Sequence, residues 1–498
     1  MTLTGQSLIA GQWLGNSDNG EFKAFSPAHN VPLETNFFNI SVNELELSIN
    51  EAENAFLAYR KTTFEQRALF LDCIAEQIIV LGDELLTLTQ QETNLPLARL
   101  QGERMRTVNQ LKAFAQVLRE SPDSPMGLKV IDEADNSRQP LPKPRTELNY
   151  LPLGPVAVFG ASNFPYAFST LGGDTAAALA AGCPVIVKNH DAHPGTGELM
   201  ARAALAAIKI CAMPLGVFAM VQSKSYNISH VLVAAPAIKA VGFTGSLSVA
   251  NALKATMVKR YEAIPFYAEL GSINPQIILP NKAREQGARI AQTLCQSMLM
   301  GNGQFCTSPG LWLVPTGCKG FEEEVADWIG NSLSDTLLTP SIIKSFKYAT
   351  SQRSNMDQVS LLAKGKLEHD FHANAHVFAC SVDTYLATLA LHDEVFGPAA
   401  LIVRYENEQQ LLLIIDKLEG QLTASLHGTQ DDLDSAQCLT EMLQYKVGRL
   451  ITNQMPTGVE VCGSMNHGGP FPSSTNVRST SVGTHAMLRF LRPICYQS

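Results

Sequence analysis

The stretch Gly301-Asn302-Gly303-Gln304-Phe305-Cys306-Thr307-Ser308-Pro309 sets one cysteine in a loop. Glycines let the backbone enter conformations that a Cβ forbids, and Pro309 keeps helix from running through the loop. A cysteine held there can turn its sulfur towards a bound molecule while neighbouring backbone N–H groups face a developing oxyanion. A small buried filler is the other reading of a free cysteine, and the loop alone does not choose between the two.

Other stretches carry groups that would complete such chemistry. Glu269 lies between apolar neighbours in Ala268-Glu269-Leu270-Gly271-Ser272-Ile273-Asn274-Pro275. Partial desolvation would raise its pKa and suit it to general-base work; a solvent-facing or salt-bridged glutamate is the alternative. Asn163, in Gly160-Ala161-Ser162-Asn163-Phe164-Pro165, has an amide that could donate to an oxyanion, or it is a turn asparagine. Lys188, followed by Asn189-His190-Asp191, could bond ribose hydroxyls or a phosphate, or lie as a surface lysine at a strand end. Gly245-Ser246 directly precede a helix, and a helix N-terminus of that kind can hold a pyrophosphate. In His392-Asp393-Glu394-Val395-Phe396-Gly397-Pro398, Glu394 could accept from two vicinal ribose hydroxyls. Phe396 could pack on a nicotinamide ring or simply be core. No GxGxxG follows any expected strand, so the common dinucleotide fingerprint is absent.

The elements that must position these groups show in the hydrophobic pattern. Short strands and turns are expected over 8–38, then amphipathic helices over 42–60, 64–81 and 83–93, with the three- and four-residue spacing continuing from Arg99 to Leu118. Ser41 and Glu44 have capping-box spacing. Prolines 122 and 125 break the pattern, and 127–150 reads as an extended excursion. From 151 the chain alternates apolar strands ending in glycine or lysine with alanine-rich helices, which argues a doubly wound parallel sheet binding its ligand at the carboxyl ends of the strands. A second alternation starts after Glu269: strand at 276–279, helix 284–300, strand at 311–314, helix 319–333 and strand at 399–403. The expected fold class is therefore α/β, with two doubly wound domains and the Cys306 loop in the second, facing the first.

Composition excludes several classes. The 498 residues carry a net charge of −9, with 17% charged and 45% apolar residues. That balance argues against nucleic acid or an anionic membrane as the main partner. No apolar run is long enough to span a membrane and no secretory signal opens the chain. Ten scattered cysteines without a CxxC pair fit reduced thiols in a cytoplasm rather than a disulfide framework, and no metal-ligand spacing is present.

Taken in order and spacing, GASNFP, FTGS, AELGSINP, GNGQFCTSPG and HDEVFGP resemble the aldehyde dehydrogenase superfamily over essentially the whole chain. The stretches 100–107, Gly172–Thr175, Asn466–Thr475, Thr480–Thr484 and Arg489–Pro493 are similar to the branch that holds α-ketoglutaric semialdehyde dehydrogenases and an NADP-dependent fatty aldehyde dehydrogenase. The resemblance implies that Cys306 is the nucleophile, that Asn163 and the Cys306 N–H hold the oxyanion, that Glu269 activates the hydrolytic water, and that His467 assists the thiol. It implies coenzyme contacts from Lys188, His190, Asp191, Gly245, Ser246, Glu394 and Phe396. Asp191 leans to NAD, because a carboxylate beside a 2′-phosphate is unfavourable; His190 and the branch lean to NADP. Ala250 stands where the family's FTGS motif is usually followed by glycine.

The same resemblance implies three parts. Residues 1–126 and 151–269 would form the coenzyme domain, 270–475 the catalytic domain, and 127–150 with 476–498 an oligomerisation extension of a homodimer or homotetramer. The substrate would be a small aldehyde, α-ketoglutaric semialdehyde foremost, with a long-chain aldehyde as the alternative. Retention of Glu269 speaks against a CoA-acylating enzyme, and the intact Asn163, Glu269 and Cys306 speak against a non-catalytic relative. A carboxylated substrate needs a cation from among Arg104, Arg106 and Arg478; a long aliphatic one needs an apolar tunnel from Phe164, Tyr166, Phe168 and Phe471.

Overall fold

The computed structural model describes residues 2–120 and 125–498. Pro122, half of the proline break expected after the fourth helix, lies outside the described residues. The N-terminal helices form where the spacing predicts: Val42–Tyr59, Phe64–Val80 and Gly82–Thr93. The Ser41 hydroxyl accepts from the Glu44 N–H while the Glu44 carboxylate accepts from the Ser41 N–H, which satisfies two donors that a helix start leaves free. The fourth helix, Leu97–Glu120, runs without a break and buries Leu100, Glu103, Thr107, Leu111 and Phe114 on one face.

The first sheet has seven strands in the order Phe266–Glu269, Ala240–Thr244, Val156–Phe159, Val185–Lys188, Phe218–Val221, Ser7–Ile9 and Gln12–Leu14. The first five are parallel, and the last two close the edge antiparallel. The central strands are buried along nearly their whole length, as expected when helices cover both faces. Register aligns the carboxyl ends: Phe159 lies opposite Lys188 and Phe243, and Thr244 lies opposite Glu269. Glu269, Lys188, the Gly160 turn and Gly245 therefore emerge along one rim.

The second sheet also has seven strands: Ser360–Lys364, His376–Ser381, Ala399–Tyr405, Leu311–Pro315, Gln276–Ile278, Gln421–His427 and Val447–Thr452. All of its pairings are parallel except the edge pair Ser360–Lys364 with His376–Ser381. The span between 333 and 399, for which sequence reading proposes no element, supplies that edge pair and the helix Pro340–Ser354. Ser360–Lys364 is largely exposed and bulged, so its pattern does not alternate cleanly. A third sheet joins Val130–Asp132, Thr146–Pro152 and Leu491–Gln497. Within the C-terminal segment, Ala486, Met487 and Phe490 turn into the core of the first sheet.

A strap over 466–482 ties the two sheets together. Leu270 N–H donates to Ser473 O, Thr475 N–H to Ala268 O, and Ala268 N–H to Thr475 Oγ1. On the other side the strap lies on glycines of the second sheet. A Cβ on Gly448 would stand 2.1 Å from Gly468 O, and one on Gly420 would stand 2.1 Å from Pro470 O. Backbone cannot yield to such an overlap as a flexible side chain can. Gly448→Ala is therefore expected to lower the thermal midpoint and to lift the strap, slowing turnover at least about tenfold, since misplacing a catalytic group by an ångström costs rate steeply. Thermal unfolding alongside steady-state kinetics checks this.

Candidate active site

The cysteine loop is built by residues that tolerate left-handed backbone. After the helix Pro280–Leu299, Gly301, Asn302 and Gly303 take φ of 56°, 50° and 72°. A Cβ on Gly303 would lie 2.2 Å from Gly397 O, so the cysteine loop and the Phe396-Gly397-Pro398 turn touch backbone to backbone. Side-chain amides then fix the loop. Asn302 donates to Asp335 O at 2.8 Å, and Gln304 Oε1 accepts from Leu338 N–H at 2.9 Å. Asn274 Nδ2 donates to Cys306 O and Ser308 O, each at 2.9 Å, while its Oδ1 accepts from Ser272 and Thr423 hydroxyls. Asn274 sits in a motif that sequence reading singles out, yet its part in clamping the cysteine loop depends on Thr423, more than a hundred residues away.

Around the half-buried sulfur, groups from three segments converge. His467 Nε2 lies 3.4 Å from Cys306 Sγ and 2.8 Å from Glu269 Oε1. The ligand-type atoms of Cys306, Glu269 and His467 all fall within 4.8 Å of one another. Glu269 Oε1 has no well-aligned donor despite that closeness, while the Ser481 hydroxyl donates to Oε2. Two lone-pair atoms at 2.8 Å would repel, so a proton must reside among the three groups.

The electrostatics follow. Burial, then the Glu269 carboxylate and the hydrogen bond to it, push the Cys306 thiol well above its ordinary value; Glu394 adds to this and Arg106 opposes it. Burial alone would raise Glu269 too, but the His467 charge and donors on His467, Ser481 and Cys306 outweigh it and hold the carboxyl below its usual range. The raised pKa expected for Glu269 is thus corrected: the residue is buried, but it is surrounded by donors, and these favour its ionised form. The resting arrangement is a carboxylate and a thiol, with the imidazole beside both.

Asn163 is buried against the cysteine loop. Its Nδ2 donates to Gln304 O at 2.9 Å, which fixes the amide beside the cysteine loop with one of its two N–H groups used. One face of the helix Leu97–Glu120 supports it at i, i+4 and i+7. Arg99 Nη2 donates to Asn163 O at 2.6 Å and packs over Phe164 and Phe305. Glu103 Oε1 accepts from Tyr166 and Ala167 N–H at 2.8 and 3.0 Å. Arg106 stacks 5.2 Å over Phe168. Arg99 and Glu103 were not flagged from sequence; the i, i+4, i+7 pattern of charges was the available signal.

The other anchor candidates sort clearly. Arg104 turns away to Gly82 O, and Arg478 is exposed. Of the aromatics, Phe164 and Phe168 pair at 5.3 Å beside the site. Tyr166 does not join them: it is fully buried and its hydroxyl donates to Thr89, so it belongs to the core. Phe471 is 57% exposed on the strap.

A second group of candidates lines the rim of the first sheet. Lys188 ends its strand half-buried, and burial lowers its pKa. His190 Nδ1 accepts from Ala192 N–H at 3.1 Å, and burial holds the ring neutral, so it offers no positive charge to a phosphate. Burial would raise Asp191, but the neighbouring His190, Lys188 and Lys224 lower it overall, so it stays anionic. Ser246 caps the helix Leu247–Met257 by accepting from Val249 N–H, and Gly245 to Val249 are exposed at that N-terminus. Ala250 packs buried one turn on. Glu394 opens onto solvent beside Gly271, yet the protein around it raises its carboxyl to about 7, with the Ser272 N–H as an opposing donor. An acid so short of donors fits vicinal hydroxyls, and the rim as a whole fits a dinucleotide.

Residues 13–492 match the aldehyde dehydrogenase family. The chain is 43% identical over its whole length, and 95% of the relative's, to α-ketoglutaric semialdehyde dehydrogenase 2 of Azospirillum brasilense. It is 42% identical over 93% of its length, and 88% of the relative's, to α-ketoglutaric semialdehyde dehydrogenase of Acinetobacter baylyi. The fold matches a betaine aldehyde dehydrogenase from Staphylococcus aureus solved with NAD+, with a TM-score of 0.84, 18% identity and 100% and 98% coverage of the two chains.

The geometry fixes how the thiol should titrate. Iodoacetamide reacts with thiolate, so alkylation of Cys306 in the free enzyme should rise with pH along a curve displaced above that of an ordinary thiol. Glu269→Gln removes the like charge that disfavours the thiolate, so the curve should move to lower pH. A pH series of alkylation rates on both proteins checks the direction.

Proposed function

The chain belongs to the aldehyde dehydrogenase family, and on that premise we propose that it oxidises α-ketoglutaric semialdehyde to 2-oxoglutarate with NAD or NADP. The observation that carries the chemistry is the meeting of Cys306, Glu269 and His467, whose polar atoms lie within 4.8 Å of one another, with the Asn163 amide bonded to the same cysteine loop at Gln304 O. Full-length similarity to two α-ketoglutaric semialdehyde dehydrogenases supports the substrate.

In this reading the thiol proton passes to the pair formed by Glu269 and His467, whose Nε2 is 3.4 Å from Sγ and 2.8 Å from Glu269 Oε1, as the sulfur bonds to the aldehyde carbon. The new thiohemiacetal oxygen carries negative charge, met by the free N–H of Asn163 and by the Cys306 backbone N–H. Losing one such donor typically costs about 10²–10³ in rate. A bound nicotinamide coenzyme supplies the acceptor for the hydride whose loss turns the thiohemiacetal into a thioester. Glu269, ionised again once the earlier proton has been released to solvent, then takes a proton from the water that attacks the thioester carbon; the C–S bond breaks, and Cys306 leaves as a thiolate that takes up that proton to restore the thiol. Lys188, Asp191, Gly245, Ser246, Glu394 and Phe396 would hold the coenzyme along the rim of the first sheet. The three-part division and the homo-oligomer belong to the same proposal. No helix among the described residues is long and apolar enough to cross a membrane.

Purified enzyme given α-ketoglutaric semialdehyde should form reduced coenzyme and 2-oxoglutarate in equal amounts, and Cys306→Ala should abolish both. Full turnover by the alanine variant would overturn the nucleophile assignment. Coenzyme choice tests the rim separately. Asp191 places a carboxylate where a 2′-phosphate would approach, and His190 brings no compensating charge. Asp191→Ala is expected to raise the NADP-to-NAD ratio of kcat/KM at least about tenfold, the scale of one charge interaction near a protein surface. Kinetics with both coenzymes measure that ratio.

A further inference from the structure

Arg106 comes from the helix Leu97–Glu120 and Arg449 from the strand Val447–Thr452, yet one short stretch holds both. Val459 O accepts from Arg106 Nε and Nη2 at 3.3 and 3.4 Å. Gly458 O and Pro456 O accept from Arg449 Nη1 and Nη2 at 3.0 and 2.6 Å. These neutral acceptors leave one buried nitrogen on each guanidinium, Arg106 Nη1 and Arg449 Nε, without a partner. Among the described residues neither arginine makes an ion pair within 4.0 Å; the carboxylate nearest in effect to Arg106, Glu103, spends Oε1 on two backbone N–H groups. Each arginine is half-buried, and a half-buried cation with only neutral acceptors favours an anion that could reach its unused donor.

Their position relates such an anion to the sulfur. Arg106 lies 5.2 Å over the Phe168 ring, that ring is 6.1 Å from the His467 ring, and His467 Nε2 is 3.4 Å from Cys306 Sγ. The charge of a Cys306 thiolate acts on both Arg106 and Arg449. For Arg99, by contrast, the acting charge is Glu103, and its guanidinium is committed to Asn163 O. Two arginines held by the one stretch 456–459 therefore lie within electrostatic reach of the sulfur, each with an unused donor.

We propose that Arg106 and Arg449 together bind the carboxylate of the semialdehyde while its aldehyde carbon sits at Cys306, and so select carboxylated over aliphatic aldehydes. The assignment rests on the functional reading above. Guanidinium suits the task because its fixed donors match carboxylate oxygens and it stays charged at any working pH. The same two charges offset the repulsion that the Glu269 and Glu394 carboxylates would exert on an anionic substrate.

Two measurements on Arg106→Met and Arg449→Met, made singly, test this. The first is the ratio of kcat/KM on α-ketoglutaric semialdehyde to that on pentanal. Each variant should lower the ratio at least about tenfold, the size of a lost charge-assisted hydrogen bond, chiefly through KM on the charged substrate. The second needs neither turnover nor coenzyme: the rate of Cys306 alkylation by anionic iodoacetate divided by that by neutral iodoacetamide. That ratio should also fall in each variant. Unchanged ratios in both measurements, or equal losses on charged and neutral partners, would overturn the assignment. If the native enzyme favours pentanal over the semialdehyde, the functional reading fails instead, and the alkylation ratio still judges the arginines by themselves.

Discussion

Everything in this molecule answers to one small volume in which a thiol, an imidazole and a carboxylate must share a proton. Cys306 and His467 are 161 residues apart in sequence and Glu269 comes from a third segment, yet their polar atoms lie within 4.8 Å. Two anions that close would repel strongly in a partly buried site. The protein resolves this by ionising only one. Donors from Ser481, His467 and Cys306 stabilise the Glu269 carboxylate, and its charge in turn keeps Cys306 a thiol. The sulfur is thereby held as a thiol at rest, with an imidazole and a carboxylate in reach of its proton.

Holding that arrangement sets demands on distant parts of the fold. Glu269 ends a strand of the first sheet, Cys306 precedes a strand of the second, and His467 rides a strap between them. The strap can approach the second sheet only where Gly448 and Gly420 leave room, and the cysteine loop can meet the Phe396 turn only through Gly303 and Gly397. Asn274 then fixes the cysteine loop against the strand Gln421–His427 through Thr423. The helix Leu97–Glu120 does the same for Asn163, through Arg99 and Glu103. Steric room and amide clamps, rather than apolar burial alone, decide where the reacting atoms stand.

Cys306, Glu269 and Asn163 stand out in the sequence through five motifs in family order and spacing; each fragment by itself leaves the role of its residue open. The parallel sheets were legible because fully buried strands leave continuous apolar runs such as Val156–Phe159 and Val185–Lys188. Boundaries moved by a few residues; the helix expected from 284 starts at Pro280 and is kinked at Gln286. What was hidden depends on contacts between remote segments. Arg449 looks like any charged residue on an edge strand until Gly458 and Pro456 fold back over it. Ser481 is an ordinary serine until the strap lays it on Glu269. The sign of the Glu269 shift was hidden for the same reason, since burial is visible in a sequence pattern and the donors that reverse its effect are not.

The claim beneath all of this is that substrate carbon becomes bonded to the Cys306 sulfur and to no other of the ten cysteines. Peptide mass spectrometry of Glu269→Gln, acid-quenched during turnover, tests it most directly, because slowed hydrolysis should let the acyl group accumulate. The account predicts the acyl mass on the peptide that contains Cys306. An acyl group on a different cysteine, or turnover with no adduct at any time, would contradict it.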